Sequence, residues 1–175
     1  MSKAVIGRPQ PNEYAENNLD YINEVPGDDI LSFLQQQLDS TMALLNTIDE
    51  TLSIHRYEAG KWSIREVVGH IIDAERVFAY RALAFGRGDQ TPLPGFDQEP
   101  WARHANYENV KMRDIAAEFE SVRQSTIYFF KHLAPEAWDR RGTANDKEVT
   151  TRAIAFMIGG HVQHHLNILK ARYLA

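Results

Sequence analysis

Three histidines stand in a pattern that metal-binding helices use. His161 and His165 lie four residues apart in an apolar segment with helical periodicity, and His70 lies in an earlier segment of the same kind. Because residues i and i+4 stand on the same face of an α-helix, His161 and His165 can aim their imidazoles at one point. If His70 approaches from a facing helix, three nitrogen donors surround one ion and leave a coordination position for water or substrate. The pattern therefore predicts a site for one divalent metal ion at which chemistry takes place.

The spacing leaves two alternatives open. His164 lies three residues after His161, and i, i+3 pairs can also converge on a metal, so His164 is the competing choice for the third ligand. Adjacent residues are about 100° apart around a helix, so His164 and His165 are not both expected to join His161. His165 is favoured because it continues the apolar stripe of its helix. A histidine such as His70, taken alone, also fits a core residue that bonds to a carbonyl oxygen.

Further candidate residues lie near these histidines in the chain. Asp73 follows His70 by three residues, where its carboxylate could act as a general base or orient a ligand, or could simply pair with Arg76. Arg81, three turns beyond His70, would favour an anionic substrate if it points inward, and is otherwise a surface residue. Trp101 lies in a long connection that could cover a substrate pocket or pin the connection to the core.

Glycines directly precede two of the histidines, at Gly69 and at Gly159-Gly160. Glycine inside a helix costs roughly 1 kcal/mol relative to alanine. These glycines indicate a close approach of another segment or room for a ligand, and the alternative is a tolerated small packing residue.

The composition of the whole chain excludes several classes of function. The 175 residues fit one domain, and 19 Lys+Arg against 24 Asp+Glu give a formal net charge of −5 with no basic run, which disfavours nucleic-acid binding. The absence of cysteine excludes disulfides, a protein thiolate and cysteine-ligated metals. The opening residues lack the apolar core of a signal peptide, and no stretch approaches the roughly 20 apolar residues of a membrane span. A soluble cytoplasmic protein is predicted.

Four helices are predicted to position the candidate residues. Residues 1–27, interrupted by three prolines, are expected to form an irregular arm that attaches to the body through Tyr14, Tyr21 and Ile22. Residues 28–175 are expected to form a single metal-binding domain. Its helices are predicted at about 28–48 with Asp28 as N-cap, 63–86 with a Ser63/Glu66 capping box, 110–133 and 150–172.

The sequence between the four predicted helices shows little helical periodicity. The connection at 86–108 is long for a compact bundle, and residues 134–148 read as a polar connection. No strand-type alternation competes with the four helical segments. The predicted fold class is therefore all-α, a four-helix bundle with one long connection between its second and third helices.

Three segments together carry a family resemblance. Residues 61–76 contain the pattern W-S-x6-H-x-x-D, residues 96–101 contain Phe-Asp followed by Trp, and residues 161–165 read H-x-x-H-H. In this combination the chain resembles the DinB/YfiT-like superfamily of metal-dependent enzymes over nearly its whole length. The resemblance implies a four-helix bundle, homodimers, and a nickel or zinc ion held by His70, His161 and His165.

The resemblance also bears on the reaction. Some relatives are thiol S-transferases that use bacillithiol or mycothiol, so a metal-dependent thiol S-transferase acting on a small molecule, with a low-molecular-weight thiol as cosubstrate, is the leading hypothesis. A metal-dependent hydrolase that activates water is the second hypothesis. A noncatalytic metal-binding module of a stress response is the third.

Overall fold

The computed structural model describes residues 6–175. Seven α-helices and one two-stranded sheet are present in this part of the chain. The helices are α1 (Leu19–Glu24), α2 (Ile30–Leu45), α3 (Glu50–Ser53), α4 (Ile64–Gly86), α5 (Gln98–His104), α6 (Met112–Lys131) and α7 (Thr151–Ile168), and the strands are β1 (Arg141–Ala144) and β2 (Lys147–Thr150). A π-helical turn, Leu169–Tyr173, extends α7.

The four long helices α2, α4, α6 and α7 form a bundle, which confirms the predicted all-α class. Helix α4 packs against α6 and α7, and α2 packs against the same two helices. Each long helix contributes buried apolar side chains to one continuous core, as expected from an apolar stripe with a period of 3.6 residues. Among the described residues, no helix is both long enough and apolar enough to span a membrane.

Helix α4, which carries His70, begins where the capping box predicts. The Ser63 hydroxyl accepts a hydrogen bond from the Glu66 backbone N–H, and the Glu66 carboxylate accepts one from the Ser63 backbone N–H at 2.7 Å. Two backbone donors that would otherwise lack partners are satisfied in this way. Helix α7 has a similar start, because the Thr150 hydroxyl accepts from the backbone N–H of Ala153 at 3.0 Å.

The first long helix begins later and ends earlier than predicted. Its N-cap is Asp29, not Asp28, because the Asp29 carboxylate accepts from the backbone N–H of Ser32 at 3.1 Å. The first buried residue is consequently Ile30, whereas Leu31 is only half-buried. The helix ends at Leu45, three residues short of the predicted Ile48.

Both predicted connections contain secondary structure, which corrects the sequence interpretation. Residues 98–104 of the 86–108 connection form α5, and the 134–148 connection contains β1 and the first half of β2, which pair antiparallel. Asn145 and Asp146 form the turn between the strands with φ of +52° and +60°, the backbone that two-residue hairpin turns require. Leu93 pairs with Ala144 at the end of this hairpin. Strands of four residues are too short to show a reliable alternation.

The segment before α2 lies against α7. Arg8 donates hydrogen bonds to the carbonyl oxygens of Ile22 at 2.6 Å and Val25 at 2.7 Å, which folds the chain back along α1. Helix α1 packs on α7, and Ile22 is fully buried between them. Residues 1–5 of the predicted arm lie outside the described residues. The predicted division into an arm and a domain stays a prediction.

Candidate metal centre

Helices α4 and α7 bring three imidazoles together. One ring nitrogen from each of His70, His161 and His165 lies within 4.8 Å of the others. The Nε2 atoms of His70 and His161 are only 3.1 Å apart, although these residues are 91 positions apart in the chain. His70 and His161 are each 5% exposed, and His165 is half-buried at the edge of the cluster. The i, i+4 pair on α7 and the facing residue on α4 therefore converge as the spacing predicts.

His164, the competing choice, points elsewhere. Its ring packs edge-on against Tyr21 at a centroid distance of 5.8 Å, and its nitrogens are not part of the three-histidine group. Its neighbour His165 instead lies 4.9 Å from His70, measured between ring centroids. The roughly 100° rotation between adjacent helical residues separates the two side chains.

Burial keeps the three imidazoles neutral. It lowers the pKa of His70 to about 4, and together with the charges of His70 and His164 it lowers the pKa of His165 to about 3. The pKa of His161 lies well below its usual value, first because of burial and then because of His165 and His70. Neutral imidazole nitrogens carry the lone pairs that a metal ion needs.

The donor set fits a divalent cation. Among residues 6–175, no carboxylate belongs to the three-histidine group. An ion held by these three neutral nitrogens would therefore keep its full positive charge. His70 and His161 are buried, His165 is half-buried, and one ring nitrogen of each lies within 4.8 Å of the other two. A shared cation would satisfy these three nitrogens together. Three imidazole donors suit zinc, nickel and other first-row metals.

The glycines before the histidines mark close approaches of the backbone. A Cβ on Gly160 would lie 1.8 Å from the carbonyl oxygen of Tyr21, and a Cβ on Gly69 would lie 2.1 Å from the Tyr107 ring. Both positions therefore require glycine for packing. Of the alternatives that the sequence left open, close approach is the correct one here. Gly160 allows α1 to touch α7 directly beside His161.

Aromatic rings enclose the three histidines. Trp62 lies 5.0 Å from His70, whereas Tyr21 and Phe78 lie 5.4 and 5.8 Å from His161, measured between ring centroids. These rings limit the access of water from several sides. Sequence reasoning placed Tyr21 only as an attachment point of the arm, since nothing local signals that a residue 140 positions before His161 contacts it.

A cavity opens beside His165. Its volume is about 390 Å³, and its lining includes Trp62, Lys61, Glu99 and Tyr173. His165 is the member of the three-histidine group that borders it. A small molecule in this cavity would therefore meet the cluster from the His165 side, next to α5.

The three remaining candidate residues lie apart from the histidine nitrogens. Asp73 accepts a hydrogen bond from the Tyr107 hydroxyl at 3.3 Å and lies 3.6 Å from the Arg76 guanidinium, and burial raises its pKa.

Arg81 is 7% exposed and donates to the carbonyl oxygen of Pro94 at 2.7 Å. Trp101 is 46% exposed and packs on Phe96. Asp73, Arg81 and Trp101 line one largely apolar cavity of about 370 Å³.

A buried polar network that sequence reasoning missed lies next to the cluster. Arg123 on α6 makes a bidentate ion pair with Glu75 on α4, and both side chains are almost completely buried. Arg123 also donates to the Gln37 side chain at 2.8 Å, and Gln37 donates to the carbonyl oxygen of Gly159 at 2.9 Å. The network therefore fixes the position of α7 at Gly159, two residues before His161. No local motif marks these residues, which come from four different helices.

The fold and the site together define the class of protein: a four-helix bundle with a candidate metal centre of three histidines on two facing helices. The family model described as the DinB superfamily matches residues 34–169, which is most of the chain. The chain belongs to the DinB superfamily, as the resemblance of its motifs indicated.

Two known proteins are similar to the chain over most of its length. A protein of Oceanobacillus iheyensis named "Putative metal-dependent hydrolase OB0413" is 28% identical over 151 residues, which cover 82% of this chain and 84% of that protein. Among solved structures, YfiT from Bacillus subtilis, described as a probable metal-dependent hydrolase with an unusual four-helix bundle topology, superimposes with a TM-score of 0.72 at 16% identity. The superposition covers 94% of this chain and 91% of YfiT, and it shows a shared fold.

Proposed function

We propose that the chain is an enzyme that depends on one divalent metal ion, zinc or nickel, held by His70, His161 and His165. The observation that carries this proposal is the convergence of three neutral imidazoles, two buried and one half-buried, whose nitrogens lie within 4.8 Å of one another. A metal bound there would supply Lewis acidity, which lowers the pKa of a bound thiol or water and polarises an electrophile. The names of the similar Oceanobacillus protein and of YfiT support metal dependence.

The reaction proposed first is transfer to a low-molecular-weight thiol. The thiol loses its proton, its sulfur bonds to the electrophilic carbon of the second substrate, and the leaving group departs with the bonding electrons. The chain contains no cysteine, so the sulfur nucleophile must arrive with the cosubstrate. A thiol has an ordinary pKa of about 8.5, so it ionises near neutral pH with less assistance than water needs. The absence of a carboxylate from the described histidine group suits such a nucleophile.

Hydrolysis is the second candidate reaction, and one further residue favours it. Glu99 lines the cavity beside His165, where its carboxylate could accept a proton from an attacking water. The names of the two similar proteins also refer to hydrolysis. The catalytic role predicted for Asp73 stays a prediction; its carboxylate accepts a hydrogen bond from Tyr107 and forms an ion pair with Arg76.

The first experiment measures metal per chain by elemental mass spectrometry on protein purified without a histidine tag. We expect about one equivalent in the wild type and its loss in His70→Ala and His165→Ala. His132→Ala is the matched control, because His132 is exposed and its ring stacks on Tyr128, away from the three-histidine group. His164→Ala should also keep its metal. A wild type that neither contains metal nor takes up added zinc or nickel would overturn the proposal.

The second experiment separates the reactions. The metal-loaded protein is incubated with a panel of electrophiles and esters, with and without low-molecular-weight thiols, and products are identified by mass spectrometry. Thioether products that require both thiol and metal support transfer, whereas turnover without thiol supports hydrolysis. A noncatalytic role predicts that His161→Ala lowers stability while no member of the panel is converted even by the wild type.

Two expectations from the resemblance and composition belong to the same proposal. We expect the metal-loaded protein to be a homodimer, which sedimentation equilibrium would test, and to act in the cytoplasm. A monomer at every concentration would contradict the first expectation.

A further inference from the structure

A separate cavity lies between α4, α7 and the β-hairpin. Its volume is about 170 Å³, more than ten times the roughly 10–15 Å³ that a single water requires. Phe78 and Arg81 of α4 face Ile154 and Met157 of α7 across it, and Asn145 of the hairpin turn closes one side. Phe78 also packs edge-on against His161, so one ring borders both this cavity and the histidine cluster.

Arg81 brings a buried positive charge to this cavity. The side chain is 7% exposed, and one of its N–H groups donates to the carbonyl oxygen of Pro94. Its guanidinium carbon lies 5.9 Å from the centroid of the Phe78 ring. Within residues 6–175, no ion pair joins Arg81 to a carboxylate, unlike the completely buried Arg123, which is paired with Glu75.

A buried guanidinium without a counter-ion is energetically unfavourable. Arginine does not relieve this cost by losing its proton, because the guanidinium stays protonated in proteins. Burial lowers the pKa of Arg81, which reflects this penalty. An arginine has five N–H donors, so several remain available to a molecule in the cavity. An anion bound there would offset the desolvation of the charge.

The rest of the lining mixes polar and apolar residues, and the lining as a whole, with Arg81 included, carries one excess positive charge. Lys147 adds a second cation, and Asn17, Asn18 and Asn145 add side-chain amide donors. Glu148 is the one acidic residue of the lining. Two cationic side chains against one carboxylate leave a net charge of +1, which favours an anion.

We propose that this cavity binds a small oxyanion, the carboxylate or phosphate group of a small metabolite, with Arg81 as its principal partner. The planar guanidinium presents paired N–H groups that match two oxygens of either group. The site is distinct from the three-histidine centre and needs no metal ion, so it goes beyond the proposed function.

The test uses metal-free protein and two probes, inorganic phosphate and acetate. Each is titrated at constant ionic strength, with chloride as the balancing anion, and binding is followed by the rise in Tm and by isothermal titration calorimetry. We expect saturable binding of at least one probe to the wild type. Arg81→Met should weaken the preferred probe at least tenfold, whereas Arg113→Met, at an exposed position on α6, should leave binding unchanged.

Two further variants keep the proposal testable if Arg81→Met fails to fold. Lys147→Met removes an exposed cation of the lining and should weaken binding about two- to fivefold. Glu148→Gln removes the opposing carboxylate and should strengthen binding by a similar factor. No saturable binding to the wild type, or equal affinity in all lining variants, would overturn the proposal.

Discussion

At the scale of single residues, burial gives His70, His161 and His165 two properties at once. Removal from water keeps the imidazoles neutral, which leaves lone pairs for a cation, and it also makes protonation incompatible with the native packing. The same desolvation that prepares a metal site therefore makes the metal-free protein sensitive to acid.

The metal-free protein should lose stability as the pH falls below 6.5. The pKa of His70 is about 4 in the folded chain against an ordinary value of 6.5, so between these pH values the unfolded chain binds a proton that the folded chain does not. The unfolding free energy should fall by on the order of 2 kcal/mol at pH 5 from His70 alone. Urea unfolding in the presence of a chelator, at pH 7 and pH 5, measures this difference.

His70→Leu tests the origin of the acid sensitivity. This variant should lose less unfolding free energy between pH 7 and pH 5 than the wild type, because it lacks one buried group that must be protonated on unfolding. His132→Leu, at an exposed position, should behave as the wild type does. Equal losses in all three proteins would show that the acid sensitivity comes from elsewhere.

At the scale of elements, the packing of α1 on α7 depends on one missing side chain. Gly160→Ala should lower the unfolding free energy by about 1–3 kcal/mol, because the new Cβ would lie 1.8 Å from the Tyr21 carbonyl oxygen in the backbone of α1. Gly159→Ala is the matched control, since its Cβ would meet the half-buried Phe33 ring at 3.0 Å, and a ring can turn aside. Urea unfolding compares the two variants, and equal losses would contradict the interpretation.

The elements differ in how well local sequence specifies them. Ser63 and Glu66 predict the start of α4 because a capping box is complete within four residues. The β-hairpin and α5 are not predicted from the sequence, because each is short and depends on contacts with the rest of the fold. The hairpin, for example, is extended by the pairing of Leu93 with Ala144, 51 residues later in the chain.

At the scale of the whole molecule, one buried network connects all four long helices. Arg123→Met should lower the unfolding free energy by about 3–5 kcal/mol, because it leaves the Glu75 carboxylate buried without its partner. The double variant Arg123→Met/Glu75→Leu should be less destabilised than the sum of its single variants. A double-mutant cycle by urea unfolding gives the coupling energy. Additive losses of unfolding free energy would mean that Arg123 and Glu75 are not energetically coupled.

Metal binding should stabilise the whole fold. An ion that binds only the folded chain raises the unfolding free energy by about 2.7 kcal/mol at a free concentration of 100 times its Kd. Thermal unfolding of the wild type should therefore shift to higher Tm as zinc or nickel is added. His161→Ala should show no such shift, and an equal shift in this variant would place the ion elsewhere.

The sequence by itself determined the four long helices and limited the converging histidines to His70, His161 and one of His164 and His165. Helical periodicity, a capping box and an i, i+4 pair are local properties, so they can be read within a few turns of chain. Only the tertiary structure decided that His165 rather than His164 faces His70, that Asp73 bonds to Tyr107, and that Arg81 lines a cavity without a carboxylate partner. These outcomes depend on how distant elements pack, because a side chain acquires its partners only when helices and loops far apart in the chain come together.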